Sequence, residues 1–241
     1  MKELIPGVYL LSGILGAGIW GANTYLLIDN SLTLVDTGFK GRSTRILKEV
    51  RQLGYSPSDI TTIIITHHHA DHVGSLATLK KVTKAQIMAH PADAPYIDGR
   101  LTQPGLPALQ WLSKTIVPLR NLWTTTPVAV DVLLNDGDEL PVLGGIKVLH
   151  TPGHTLGSIS LFLPEKRLVI AGDLIAHRFG LRLPSKAFTV DIEQEIRSIE
   201  KVSGLDFDVI CFGHGSPLVD KARPAVLNFT KIIQNRYRKV R

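Results

Sequence analysis

The sequence has little of what would place the protein outside the cell or in a membrane. Its 241 residues include a single cysteine, Cys211, which excludes an intramolecular disulfide framework and fits a reducing compartment. No run reaches the roughly 18 apolar residues of a membrane span. The uncharged stretch 8–20 is interrupted by glycines and lacks a small-residue cleavage site, which favours a strand and loop over an export signal. We therefore predict a cytoplasmic protein that does not associate with a membrane.

The chain carries a modest excess of positive charge, which is distributed unevenly along the sequence. The formal net charge is +6, and much of the excess lies in the last eleven residues. The residues concerned are Lys231, Arg236, Arg238, Lys239 and Arg241. Basic side chains at the end of a helix interact favourably with its dipole and are usually solvated. We expect solvated charge here and no nucleic-acid partner.

Hydrophobic residues make up 44% of the chain, and apolar strand-like runs alternate with helical patterns. This alternation predicts an α/β fold. Strands are predicted at 8–11, 23–28, 32–35, 59–65, 85–89, 128–134, 146–150, 158–163, 167–171 and 209–212. Helices are predicted at 42–53, from 74, at 192–202 and at 224–236. The second half repeats the design of the first without a low-complexity linker. We therefore predict one domain, 1–241, with pseudo-repeated halves at roughly 1–126 and 127–241.

Potential metal ligands are concentrated in the segment HHHADH, which follows one of these strands directly. Along extended backbone His67 and His69 point to one side and can reach a single ion, whereas His68 points to the other. Asp71 and His72 come from the turn beyond and are better aimed at a second ion. Neutral imidazole and carboxylate are ligands that zinc prefers. The segment therefore predicts a metal site, although three adjacent histidines alone could also be a solvated surface cluster.

Three later segments share one design, an apolar strand that ends in a potential ligand beside glycine. The sequence TPGHT contains His154, AGD contains Asp173, and GHG contains His214. Asp36 likewise follows a predicted strand and precedes Thr37 and Gly38. The repetition favours a metal site over a surface cluster. A histidine before a proline, as His90 is before Pro91, is more often a turn residue, and we leave His90 and Asp93 out of the site.

The ordered set His-x-His-x-Asp-His, His154, Asp173 and His214 resembles the metallo-β-lactamase superfamily over nearly the whole chain. The resemblance implies a four-layer αββα sandwich with two metal ions. It assigns the ligands as His67, His69 and His154 for one ion and Asp71, His72 and His214 for the other. It further implies that Asp173 bridges the ions and that Asp36 orients a ligand from behind.

A dinuclear centre of this kind implies hydrolysis of a small ester, thioester or lactone. Two zinc ions about 3.5 to 4 Å apart would lower the pKa of a bridging water toward about 7 and supply hydroxide. Asp71 is the best placed group to orient that hydroxide or shuttle a proton. Zinc is the default metal, and iron or manganese suit the same ligands.

Differences from individual members of the superfamily narrow the range of expected substrates. The β-lactamases lack a bridging aspartate at the position of Asp173 and are exported, which argues against antibiotic hydrolysis. Glyoxalase II shares the ligand set but has an additional C-terminal helical part, whereas 27 residues follow His214 here. Quorum-quenching lactonases have a tyrosine where this chain has Ala176. The next residue, His177, is a candidate substrate contact or an ordinary loop histidine.

Two other activities stay open. Persulfide dioxygenases resemble the same motif but use a single iron, and a phosphodiesterase or nuclease of the same fold is a further alternative. Nucleases of the β-CASP type need a large insertion between Asp173 and His214, for which the gap is too short. The apolar segment 98–126 is predicted to be a substrate lid, a homodimer contact or core. The expected partner is a small molecule.

Overall fold

The computed structural model describes residues 1–11, 21–102 and 125–238. Most of the predicted 98–126 insertion and the last residues of the basic terminus therefore lie outside the described residues. The chain divides into two compact units, Met1–Leu134 and Asn135–Arg241. The prediction of a single domain with halves meeting near residue 126 stays a prediction.

The first unit is built on a seven-stranded sheet whose described strands neighbour one another in chain order. They are β1 (Lys2–Ile5), β2 (Val8–Leu11), β3 (Thr24–Ile28), β4 (Leu32–Val35), β5 (Ile60–Ile64), β6 (Gln86–Ala89) and β7 (Val132–Leu133). Strands β1 to β4 form an antiparallel meander, whereas β4 to β7 pair in parallel. Parallel strands end at the same edge of a sheet, so the segments after β4, β5 and β6 emerge together.

Helices connect the parallel strands of this unit. They are α1 (Ser43–Gln52), α2 (Ala70–Val73), α3 (Leu76–Thr83) and α4 (Ala94–Ile97). In α1, Ile46, Leu47 and Val50 recur at helical spacing, and all three are buried. Gly54, with φ 87°, follows the end of α1, as the pattern predicts. These buried side chains belong to a hydrophobic core that includes Ile63 of β5.

The second unit contains a five-stranded sheet and a separate two-stranded hairpin. Its strands are β8 (Glu139–Leu140), β9 (Ile146–His150), β10 (Ile159–Leu163), β11 (Leu168–Ile170), the hairpin β12 (Ala176–His177) and β13 (Leu181–Arg182), and β14 (Val209–Cys211). The sheet order is β14-β11-β10-β9-β8. Strand β10 is antiparallel to β9 and β11, and β11 is parallel to β14. Hence β9, β11 and β14 all end at one edge.

Two helices complete the second unit, α5 (Ile192–Ser203) and α6 (Ala222–Arg238). Asp191 begins α5 because its Oδ1 accepts hydrogen bonds from the backbone N–H groups of Glu193 and Gln194, both at 2.9 Å. The inner face of α5 buries Ile199 and Val202 in the core of this unit.

The described elements confirm the predicted α/β class and most predicted strands and helices. The strand predicted at 128–134 is wrong in extent, since only Val132–Leu133 pairs, opposite Met88 and Ala89 at the end of β6. The sequence pattern also missed β1, α4 and the β12–β13 hairpin. No helix in the described ranges is both long and apolar enough for a membrane span. The cytoplasmic location and the homodimer stay predictions.

Candidate metal centre

The histidine segment after β5 places its side chains on alternating sides of the backbone. His67 Nε2 lies 3.1 Å from His69 Nδ1. His68 faces away from this pair, because its backbone N–H donates to Asp93 Oδ2 at 2.8 Å and its Nδ1 lies 2.9 Å from the same oxygen. Its ring stacks on Tyr96 with centroids 4.4 Å apart. His68 therefore bonds to Asp93, although the edge of its ring also meets that of His69, with centroids 5.0 Å apart.

Asp36 follows β4 and lies behind His72. Its Oδ2 accepts hydrogen bonds from His72 Nδ1 at 2.7 Å and from the Thr66 hydroxyl at 2.8 Å, while Oδ1 accepts from the Thr66 backbone N–H at 2.9 Å. The bond to His72 places a proton on Nδ1 and leaves the lone pair on Nε2. An imidazole that binds a metal through Nε2 needs this tautomer. The geometry suits the orienting role predicted for Asp36.

Asp71 and His72 lie in α2, which begins directly after His69. The backbone of His69 is still extended, with φ −63° and ψ 148°, so the chain changes from strand-like to helical geometry at this point. The change brings the ring of His72 beside that of His67, with centroids 3.9 Å apart. Asp71 Oδ2 lies 3.9 Å from His72 Nε2. One short segment thus gathers the four predicted ligands of the first unit.

His154 lies in the loop after β9, next to a position that requires glycine. Gly153 has φ 143°, and a Cβ there would overlap Glu195. His154 Nδ1 lies 3.3 Å from Thr189 Oγ1, whose own hydroxyl donates to the Ser185 carbonyl. Thr189 therefore accepts from Nδ1–H, and His154 keeps its lone pair on Nε2.

Asp173 follows β11 in a single 3₁₀ turn. Its oxygen Oδ2 lies 3.5 Å from His154 Nε2 and 3.2 Å from His214 Nε2. The loops after β11 and β14 are joined by a hydrogen bond of 2.6 Å from the Gly213 N–H to the Gly172 carbonyl. The second unit thus brings its three predicted ligands together from the ends of three strands.

His177, a candidate substrate contact or an ordinary loop histidine, bonds to the segment that carries His214. Its N–H donates to the His214 carbonyl at 3.0 Å, and its Nδ1 lies 2.7 Å from the Ser216 carbonyl. A Cβ at Gly215 would overlap the His177 carbonyl, so the two segments are in close contact. His177 holds the His214 segment in place, and a contact with substrate stays a prediction.

The donor atoms within each unit fit a transition metal. Two ligands that share a tetrahedral ion at about 2.0 to 2.1 Å lie about 3.3 Å apart. The His67–His69 nitrogen pair is separated by 3.1 Å. Asp173 Oδ2 lies 3.5 and 3.2 Å from its two imidazole nitrogens. Donor atoms of His67 and His72 also lie within 4.8 Å of each other. The spacing and the chemistry of these donors are those of metal ligands.

Comparison with known protein families shows which superfamily the chain belongs to. A profile of the Metallo-beta-lactamase superfamily matches residues 17–214. The chain belongs to the metallo-beta-lactamase superfamily.

Two of the similar proteins match most of the chain, and a third matches about half of it. The probable metallo-hydrolase YflN of Bacillus subtilis (strain 168) is 28% identical over 236 residues, covering 89% of this chain and 88% of that protein. A crystal structure of a metallo-beta-lactamase family protein from Thermus thermophilus has a TM-score of 0.75 at 26% identity, covering 97% of this chain and 81% of that one. The hydroxyacylglutathione hydrolase of Pseudomonas aeruginosa (strain LESB58) is 32% identical over 118 residues, which are 48% of this chain and 33% of that protein. These matches confirm the fold and support hydrolase activity in general.

Three residues beside the superfamily ligands were not predicted from the sequence. Asp93 was excluded, yet it bonds to His68 from the start of α4. Arg178 was not singled out, yet its Nη2 donates to His214 Nδ1 at 3.0 Å. No local pattern announces either contact, because each joins residues far apart in the chain.

Glu195 is the third such residue and is fully buried. Burial raises the pKa of its carboxyl to about 9, with a further contribution from the charge of Asp173, and the nearby His154 N–H opposes the shift in part. Glu195 is therefore neutral at pH 7. A sequence signal existed, since Glu195 lies beside Ile196 on the apolar face of the predicted helix 192–202.

Proposed function

We propose that this chain is a dinuclear metal-dependent hydrolase of a small ester, thioester or lactone. The observation that carries the proposal is the position of Asp173 Oδ2, 3.5 Å from His154 Nε2 and 3.2 Å from His214 Nε2. A single carboxylate oxygen near two imidazole nitrogens suits a carboxylate that bridges two ions.

The proposed ligands are those implied by family membership. His67, His69 and His154 would hold one ion, Asp71, His72 and His214 would hold the other, and Asp173 would bridge them. Zinc is the metal we propose, since nitrogen ligands dominate the set and the donor spacings suit its preferred geometry. Iron and manganese would accept the same ligands.

When bound, such ions supply Lewis acidity and a nucleophile at neutral pH. The residues of the chain orient the metal ligands and accept protons during the reaction. Asp36 keeps the His72 proton on Nδ1 through a hydrogen bond of 2.7 Å. Asp71 lies at the start of α2 with a side chain that is 14% exposed, so its carboxylate can reach solvent and accept a proton from the attacking water.

An acyl substrate is supported by sequence context and by a relative. His154 lies in TPGHTLGS, a context that resembles acyl hydrolases of the superfamily. One relative is named a hydroxyacylglutathione hydrolase, although the match covers only 33% of that protein. We propose a small-molecule acyl substrate and no nucleic-acid partner.

Metal analysis of the purified protein is the first test. We expect close to two equivalents of transition metal per chain, mainly zinc, by elemental analysis. One tightly bound iron per chain, together with oxygen consumption on a persulfide substrate, would replace the proposal by a persulfide dioxygenase.

A substrate panel is the second test. It contains an aryl ester, a glutathione thioester, a homoserine lactone, a cephalosporin and a phosphodiester, each assayed with the native protein, Asp173→Ala and His68→Ala. We expect turnover of at least one acyl substrate that Asp173→Ala abolishes and His68→Ala retains. Phosphodiester cleavage without acyl turnover, lost on truncation after Asn235, would overturn the proposal.

A further inference from the structure

The hairpin after Asp173 brings a permanent positive charge to His214. Arg178 directly follows β12, and its Nη2 lies 3.0 Å from His214 Nδ1. A guanidinium group can only donate hydrogen bonds and does not lose its proton in proteins. His214 Nδ1 is therefore the acceptor in this contact.

The contact determines where His214 carries its proton. A neutral imidazole that accepts at Nδ1 is protonated at Nε2. The protonated Nε2 lies 3.2 Å from Asp173 Oδ2. Arg178 and Asp173 thus lie on opposite nitrogens of the His214 ring.

His214 differs in this respect from two other candidate ligands. Nδ1 of His72 donates to Asp36, and Nδ1 of His154 donates to Thr189. Both residues therefore keep the lone pair on Nε2, where a metal ion would bind. Arg178 imposes the opposite tautomer on His214, which has no Nε2 lone pair to offer.

The position of Arg178 is fixed by the fold. The neighbouring His177 hydrogen-bonds to the His214 carbonyl, and Gly215 is in close contact with His177. The buried Nε of Arg178 has no hydrogen-bond partner among the described residues, and no ion pair joins Arg178 to a carboxylate in those ranges. Its guanidinium group therefore faces His214 without a direct ion pair to a carboxylate of the described residues.

We propose that Arg178 is a positioning residue that competes with a metal ion for His214. Binding of an ion at Nε2 requires the proton to leave Nε2 and Nδ1 to become protonated, so that Nδ1–H faces the N–H of Arg178. The hydrogen bond is then lost and a guanidinium lies next to a cationic centre. The ion that takes His214 as ligand is thus bound more weakly than the ion that does not. This inference rests on the proposed role of His214 as a ligand.

Zinc affinity tests the competition, with a matched control on the same hairpin. Arg182 is exposed on β13, opposite Ala176, so Arg182→Met makes the same charge change without touching His214. Stepwise zinc binding is measured by competition with a chromophoric chelator. We expect Arg178→Met to tighten the weaker step by about tenfold or more. Arg182→Met should change either step by less than about twofold. Unchanged or weaker binding in Arg178→Met would overturn the inference.

The tautomer of His214 is a second readout that needs neither metal nor activity. Nitrogen-15 NMR of the metal-free protein should show His214 protonated at Nε2, and a shift toward Nδ1–H in Arg178→Met. Nδ1–H in the unsubstituted protein would refute the inference. Failure of the proposed function gives a different result, since His214→Ala would then bind as much zinc as the unsubstituted protein.

Discussion

The two units supply their candidate ligands in opposite ways. The first unit takes four from one short segment after β5, whereas the second takes one from each of three loops, after β9, β11 and β14. In the first unit the supporting groups are side chains, Asp36 and Asp93, from the ends of the neighbouring parallel strands. In the second they are the side chains of Thr189 and Arg178, together with close backbone contacts at Gly153 and Gly215. A clustered motif is thus positioned by local geometry, and a dispersed one requires the fold to bring distant loops into contact.

The largest expected effect comes from removing one ligand in either unit. His67→Ala and Asp173→Ala should each lower kcat/KM on the best acyl substrate by about three orders of magnitude or more, because several kcal/mol of transition-state stabilisation depend on the intact centre. His154→Ala should behave alike. Steady-state kinetics and elemental analysis on each variant provide the measurement. Full activity in Asp173→Ala beside an inactive His67→Ala would show that the dispersed set takes no part in catalysis.

A smaller effect is expected for Asp36, which lies behind the candidate ligands of the first unit. Asp36→Ala removes the acceptor that keeps the His72 proton on Nδ1, so we expect zinc affinity to fall by about 10- to 100-fold. Asp93→Ala is the matched control, since it removes a buried carboxylate that bonds to His68 instead. Zinc competition titrations compare the two. Equal losses in both variants would mean that the affinity reports general damage to the unit.

His68 should contribute to stability and not to metal binding. His68→Ala removes a buried ring that stacks on Tyr96 and whose Nδ1 lies 2.9 Å from Asp93 Oδ2, while the backbone N–H of residue 68 still donates to Asp93. We expect the free energy of unfolding to fall by about 2 kcal/mol, measured by denaturant titration of the metal-free protein. Metal content should stay at the level of the unsubstituted protein. A loss of metal like that in His67→Ala would mean that the alternation after β5 is out of register.

The smallest expected effect concerns Glu195 in the second unit. Because its folded-state pKa is raised to about 9, from an ordinary value of 4.5, the folded state holds one more proton than the unfolded state between these values. The free energy of unfolding should therefore fall as pH rises, by about 1.4 kcal/mol from pH 6 to pH 7. Glu195→Gln should lack this contribution. Denaturant titrations of both metal-free proteins at the two pH values measure it, and parallel pH dependences would show that Glu195 ionises normally.

Much of the fold was predictable because its patterns are local. The spacing of Ile46, Leu47 and Val50 predicts α1, and the β-branched run before the histidines predicts β5. The prediction failed where the extent or the existence of a strand depends on pairing with another segment of the chain. Strand β7 pairs only with Met88 and Ala89 of β6, and the β12–β13 hairpin is held by contacts between His177 and the His214 segment.

The candidate ligands follow the same division. The sequence by itself determined which residues can bind a metal, since imidazole and carboxylate chemistry and the period of an extended strand are properties of the chain. It also predicted that His68 points to the opposite side of the extended segment from His67 and His69. Only the tertiary structure decided which nitrogen of each histidine is available. That choice depends on hydrogen bonds from distant residues, Asp36 for His72 and Arg178 for His214, which packing brings together and no local pattern encodes.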